Sequence, residues 1–251
     1  MTTEPPADSR WFAPDWPLPQ GVRALQTTRL GGASGGVWSG FNLGDHVGDD
    51  AAAVAANRAA LAAAIGHEPH WLQQVHGTAV SNLDLGPAAP VEADAAIARL
   101  PGRVCAVMTA DCLPLLLCAA DGSVVGAVHA GWRGLLAGVI EAAIREMGVR
   151  GGNLLVWLGP AIGPAAFEVG DEVRSAFLAA DGAALSCFVP SPGGRWLADL
   201  YGLARQRLAA AGVSQVSGGD CCTYADGGRF FSYRRDGVTG RMATLIWKEA
   251  A

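Results

Sequence analysis

Three residues able to bind metal each lie just past an apolar or strand-like run: His76 after QQV, Cys112 after TAD and His129 after GAV. If those strand ends meet, two imidazoles and a thiolate form a three-ligand set. Catalytic zinc sites keep three protein ligands and leave the fourth position for water or substrate. Nitrogen and sulfur donors of this softness suit zinc and also accept copper. The same residues support a second chemistry, because a cysteine beside a histidine is a nucleophile and base once its thiol pKa is lowered. Asp111 would orient the histidine of such a pair, or back up a metal-bound imidazole. The plainer reading is a core thiol and two hydrogen-bonded histidines, and spacing alone does not choose among the three.

Anion handling is the second theme. Arg29 enters the glycine-rich TRLGGASGG, where backbone N–H groups can form a concave nest, although structural turn duty fits it equally well. Arg133 opens a helix whose N-terminal amides favour negative charge. Arg234 and Arg235, in RFFSYRRDG, sit beside aromatic rings that could stack a flat ring system, but adjacent arginines are commonly a solvated face. The glycine loop matches neither the P-loop nor the dinucleotide GxGxxG spacing.

The elements that must position these residues can be read in outline. Val22–Thr28 reads as a strand, and Asp49 or Asp50 caps a helix through Ile65 that Gly66 ends. WLQQVHGTAV reads as a strand interrupted at His76 and Gly77. VCAVMT (104–109), LPLLLCA (113–119) and VVGAVHA (124–130) are continuous apolar runs, the pattern of strands covered on both faces. A helix from Leu135 to Met147 follows, then the strand LLVWLGPAIG, helices near 171–180 and 197–211, and a final strand MATLIWK. Strands and helices without strict alternation predict an α+β fold, a single layered domain with a buried mixed β-sheet core and helices packed outside. Residues 1–20, with five prolines, read as an N-terminal arm and 21–251 as one catalytic domain.

Composition narrows the function classes. At 251 residues, 51% hydrophobic and 16% charged, the chain buries a sizeable core. A net charge of −5 gives no reason to expect a nucleic-acid partner. No apolar run reaches the length of a membrane span, and the acidic, proline-rich start lacks a signal-peptide pattern, so a cytoplasmic protein is expected. The six cysteines contain no CxxC pair, which argues against a structural zinc ribbon.

TTRLGGASGG, FNLGDHVGDD, NRAAL, WLQQVHG, TADCLPLLL, AVHAGWRG, LGPAIGP with FEVG, and CCTYADGGRFFSYRRDG with TGR run in order through nearly the whole chain. Together they resemble the YfiH-like family, also described as the multicopper polyphenol oxidase or laccase-domain family and as purine nucleoside phosphorylases. The resemblance implies a layered α/β fold and a metal site of His76, Cys112 and His129, with zinc expected and copper possible. It implies phosphorolysis of adenosine, inosine and methylthioadenosine, with adenosine deamination. The small-molecule partners are then purine nucleosides and phosphate. Catalytic duty is expected of His76, Cys112, His129 and Asp111, with Asp111 or another nearby carboxylate as the proton carrier in deamination. Substrate contacts are expected at Arg29, Asn42, Arg133 and Arg234, and the basic residues close to the metal motifs make Arg29, joined by Arg133, the expected holders of phosphate. Phe167 departs from the family pattern, which has tyrosine there.

Two other enzymes compete. A copper-dependent polyphenol oxidase needs many imidazoles to hold several coppers, and the chain has five histidines, only two of them in the expected site. A metal-free Cys-His hydrolase acting on peptidoglycan precursors uses Cys112 directly. A binding module with a structural metal is the non-enzymatic alternative. Nothing in the sequence sets an oligomeric state.

Overall fold

The computed structural model describes residues 9–86 and 92–250. In chain order the first strands are β1 (Trp11–Phe12), β2 (Val22–Thr27), β3 (Pro69–His70), β4 (Val80–Asn82), β5 (Ala95–Ala98), β6 (Val104–Thr109) and β7 (Leu113–Ala119). They continue with β8 (Val125–Ala130), β9 (Leu154–Leu158), β10 (Glu168–Val169), β11 (Phe188–Ser191), β12 (Arg195–Ala198), β13 (Gln215–Gly218) and β14 (Met242–Lys248). The helices are α1 (Ala51–Ile65), α2 (Trp132–Ala137), α3 (Val139–Met147), α4 (Asp171–Ala180), α5 (Leu200–Ala210) and α6 (Tyr233–Asp236).

Two mixed sheets form the core. One has the order β1-β2-β14-β6-β3 and the other β13-β9-β7-β8-β5-β4, with β10-β12-β11 as a small third sheet. The continuous apolarity of β7 follows from burial on both faces. Leu113, Leu115 and Leu117 join the cluster containing Ile140 of α3 and Leu203 of α5, whereas Leu116 and Cys118 join Val107 and Ile246 of the facing sheet. The outer face of the first sheet, through Leu245 and Ala106, packs with Phe41 and with Leu61 of α1. The result is helix, sheet, sheet, helix: an α+β sandwich with helices outside, as expected, but with two buried sheets at its centre.

Several local expectations hold for identifiable reasons. Asp50 caps α1 by accepting from Ala52 N, and Gly66 ends the helix at φ 74°. The single helix expected over 135–147 is two, because Gly138 adopts φ 97°, closing α2 and starting α3. The segment 71–77 is not a strand, and regular pairing resumes only at β4. Residues 195–198, partly assigned to a helix by sequence, pair as β12 before α5 begins. Residues 1–8 of the proline-rich segment lie outside the described residues; within the rest, β1 pairs antiparallel with β2 and Trp16 is buried.

Candidate metal centre

The site lies where the chain crosses between the two sheets. β6 belongs to one and β7 to the other, and only Ala110, Asp111 and Cys112 join them. That sharp corner puts Asp111 at φ 102°. His76 is the other non-glycine residue with positive φ among the described residues, at 60°. Strained backbone of this kind persists only where surrounding contacts hold it.

The contacts that hold it centre on Asp94, which is fully buried just before β5. Its carboxylate accepts from Val75 N at 3.2 Å, His76 N at 2.9 Å and Gly77 N at 2.6 Å, closing the turn that carries His76. The same carboxylate lies 2.7 Å from His129 Nδ1, and Asp94 O accepts from His129 N on β8. Gln74 adds a second clasp, pairing with both the N–H and the carbonyl of Met108 at 2.7 and 2.8 Å. Sequence reasoning did not single out Asp94. The available signal was an acidic residue opening the otherwise apolar run DAAIA.

His76, Cys112 and His129 converge as expected, their ligand atoms all within 4.8 Å of one another. Cys112 Sγ is 3.7 Å from His76 Nε2, and the two imidazoles meet edge to face. The donor set fits a zinc or copper ion. With the His129 proton on Nδ1, Asp94 accepts it in a hydrogen bond and Nε2 is left free to ligate a metal, the usual carboxylate–histidine arrangement behind one. Gly131 makes room: a Cβ there would come within 2.5 Å of His76 Cδ2 and 3.1 Å of Cys112 Sγ.

Charge is balanced within the group. Burial opposes ionisation of Cys112, but the charge and hydrogen bond of His129, then those of His76, bring the thiol down to about 6. Burial likewise disfavours the His129 imidazolium, yet Cys112 and Asp94 together raise it to about 9. Asp94 is also buried against its charge, and His129 with the surrounding N–H donors holds its carboxyl below the usual range.

A cavity of about 560 Å³ opens over the three residues, bordered also by Asp111, Trp132, Arg133, Phe167, Tyr233, Arg234 and Arg241. Arg133 and Arg234 are therefore at the site, with Arg234 anchored through Nη1 to Glu168 O and lying 5.5 Å from the Phe167 ring. Asp111 borders the cavity, but its two oxygens accept from Thr223 Oγ1 and Arg234 N, each at 2.6 Å. Arg29 and Asn42 are not brought into this cavity. Arg29 borders a separate depression with Gly31 and Gly32, pairs with Asp236 at 3.8 Å and lies over Phe231. Asn42 is fully buried and uses its amide on Gly44, Asp49 and Arg241 N. Arg235 is occupied by Asp236 and by the carbonyls of Thr223, Tyr224 and Phe230. Arg241 is the cavity arginine that sequence reasoning passed over, although TGR was noted.

An α+β sandwich with a His–Cys–His group at the crossing of its sheets defines a candidate metalloenzyme. A family model described as multi-copper polyphenol oxidoreductase laccase matches residues 23–249. The chain is 55% identical over 238 residues to a purine nucleoside phosphorylase of Pseudomonas aeruginosa, covering 94% of this chain and 98% of that one. It is 53% identical over 241 residues to the Escherichia coli K12 purine nucleoside phosphorylase YfiH, covering 95% and 99%. The solved structure of Neisseria meningitidis protein NMB0706 matches with a TM-score of 0.94 and 45% identity, over 96% of this chain and all of that one. Bacillus licheniformis hypothetical protein YfiH matches at 0.84 and 29% identity, over 91% and 93%. The chain belongs to this laccase-domain, YfiH-like family.

Proposed function

We propose that the chain is a zinc-dependent purine nucleoside phosphorylase acting on adenosine, inosine and methylthioadenosine, with adenosine deamination at the same centre. The observation that carries this reading is the convergence of His76, Cys112 and His129 beneath a cavity bordered by aromatic and guanidinium groups. The names of the relatives from Pseudomonas aeruginosa and Escherichia coli support the substrate class. Zinc, when bound, supplies Lewis-acid polarisation of a substrate or water oxygen.

The chain's own residues do the rest. Trp132, Phe167 and Tyr233 offer flat apolar surface to a purine. Phe167 presents a ring without a phenol, so it contributes packing and no hydrogen bond to substrate. Arg133 and Arg234 add positive charge at the cavity, which favours the approach of the phosphate that attacks C1′ of the ribose. Asp111 is the candidate proton carrier in deamination, and moving a proton to the leaving amine requires it to release Thr223 or Arg234. No helix among the described residues is long and apolar enough to cross a membrane.

The test is product analysis of zinc-loaded protein incubated with adenosine, with and without phosphate. Adenine and ribose 1-phosphate formed only with phosphate establish phosphorolysis; inosine in both samples establishes deamination. Neither product from verified zinc-loaded protein defeats the reading. A multicopper cluster is disfavoured because the histidines bordering the cavity are only His46, His76 and His129.

A second reading has its own observation. The lowered Cys112 thiol beside a raised His129 makes a thiolate–imidazolium pair in the metal-free chain. A Cys-His hydrolase would resist chelators and be killed by thiol alkylation, whereas the metalloenzyme loses activity to a chelator and regains it with zinc.

A further inference from the structure

Of the three arginines bordering the cavity, Arg241 alone is half-buried, and no carboxylate lies within ion-pair distance of it among the described residues. Its placement is built rather than incidental. The backbone N–H of Arg241 donates to Asn42 Oδ1 at 2.8 Å, and the same oxygen accepts from Gly44 N at 2.9 Å. The Arg241 stem then lies against Gly44, where a Cβ would meet its Cγ at 2.7 Å. Nη1 donates to Thr239 O and Gly240 O, both at 3.0 Å. These bonds orient the guanidinium and leave Nε and Nη2, the edge suited to a bidentate oxyanion, without a hydrogen-bond partner.

A second orphan group borders the same cavity. Thr109 Oγ1 is buried and has no hydrogen-bond partner. Leaving a buried hydroxyl unpaired is costly, and so is a half-buried cation without an anion. Arg133 by contrast is exposed beside its own neighbour Trp132, and Arg234 is exposed with Nη1 already committed to Glu168.

We infer that Arg241 is the principal oxyanion-binding residue of the cavity, that it takes inorganic phosphate on its Nε–Nη2 edge with Thr109 as an accessory donor, and that Asn42 acts as its positioning residue. The identity of the oxyanion rests on the phosphorolysis reading; the existence of the site does not.

Calorimetric titration of zinc-loaded protein with inorganic phosphate, and in a parallel arm with adenosine 5′-monophosphate, tests this. Arg241→Met should weaken phosphate binding by about tenfold or more, with zinc content unchanged. Arg241→Lys, which keeps the charge and the packing against Gly44 but not the fork, should fall between and covers the case in which the methionine variant misfolds. In phosphorolysis, the KM for phosphate should rise while that for adenosine moves less than about twofold. Wild-type phosphate affinity in both variants overturns the inference, as does an effect confined to the nucleotide. Arg241-dependent phosphate binding without phosphorolysis upholds the site and defeats the phosphorylase reading. Phosphorolysis with an unchanged phosphate KM in Arg241→Met does the reverse.

Discussion

Asp94 and His129 are 35 residues apart in the chain but form a 2.7 Å contact between Oδ1 and Nδ1, and the same carboxylate closes the turn bearing His76. One buried side chain thus positions two of the three candidate metal ligands. Asp94→Asn keeps the shape but turns an acceptor into a possible donor, so His129 loses its fixed orientation. Zinc affinity, measured by chelator competition, should fall about 10- to 100-fold. An unchanged affinity would remove Asp94 from the metal centre.

Acid stability follows from the same carboxylate. Its native pKa is lowered, so its contribution is fully present above the unfolded value and lost as pH falls through the native one. The melting-temperature gap between metal-free wild type and Asp94→Asn should therefore be widest near neutrality and shrink progressively below about pH 4. A gap that stays constant into strong acid contradicts this sign.

Thiol reactivity should be selective. In metal-free protein, iodoacetamide should modify Cys112 well ahead of Cys105 and Cys118, which are fully buried, with the Cys118 thiol pushed up to about 12 by burial and Asp121. Stoichiometric zinc should suppress that labelling, as peptide mapping by mass spectrometry will report. Equal labelling with and without zinc would place the metal elsewhere.

Gly131 tests the space around the ligands. Its φ of −64° suits any residue, so Gly131→Ala acts through sterics alone, pressing on His76 and Cys112. Circular dichroism should show a folded protein while zinc occupancy drops. Full occupancy would mean that the ligand loops yield without cost.

Arg29 separates the two accounts of phosphate binding. Sequence reasoning gives it the phosphate, so Arg29→Ala should raise the phosphate KM; its position outside the cavity predicts a KM within about twofold of wild type. The loss of its contacts with Asp236 and Phe231 should instead lower the melting temperature slightly. A large rise in KM would restore Arg29 to the site.

The sequence by itself determined the candidate metal-binding trio and the α+β class with helices outside. His76, Cys112 and His129 were legible because each interrupts an apolar run with a side chain that has little reason to end a strand, and β6, β7 and β8 because both their faces need cover. Helix α1 was legible through its aspartate cap and its Gly66 stop. The tertiary structure decided what no local pattern carries. Segment 71–77 has strand-like residues, yet Asp94, distant in the chain, bends it into a turn by collecting three of its N–H groups. Asn42 and Arg29 share a polar glycine-rich segment, but packing buries one behind Arg241 and directs the other to a different face. Buried hydrogen-bond networks join residues from separate elements, so their members gain meaning only when the sheets bring them together.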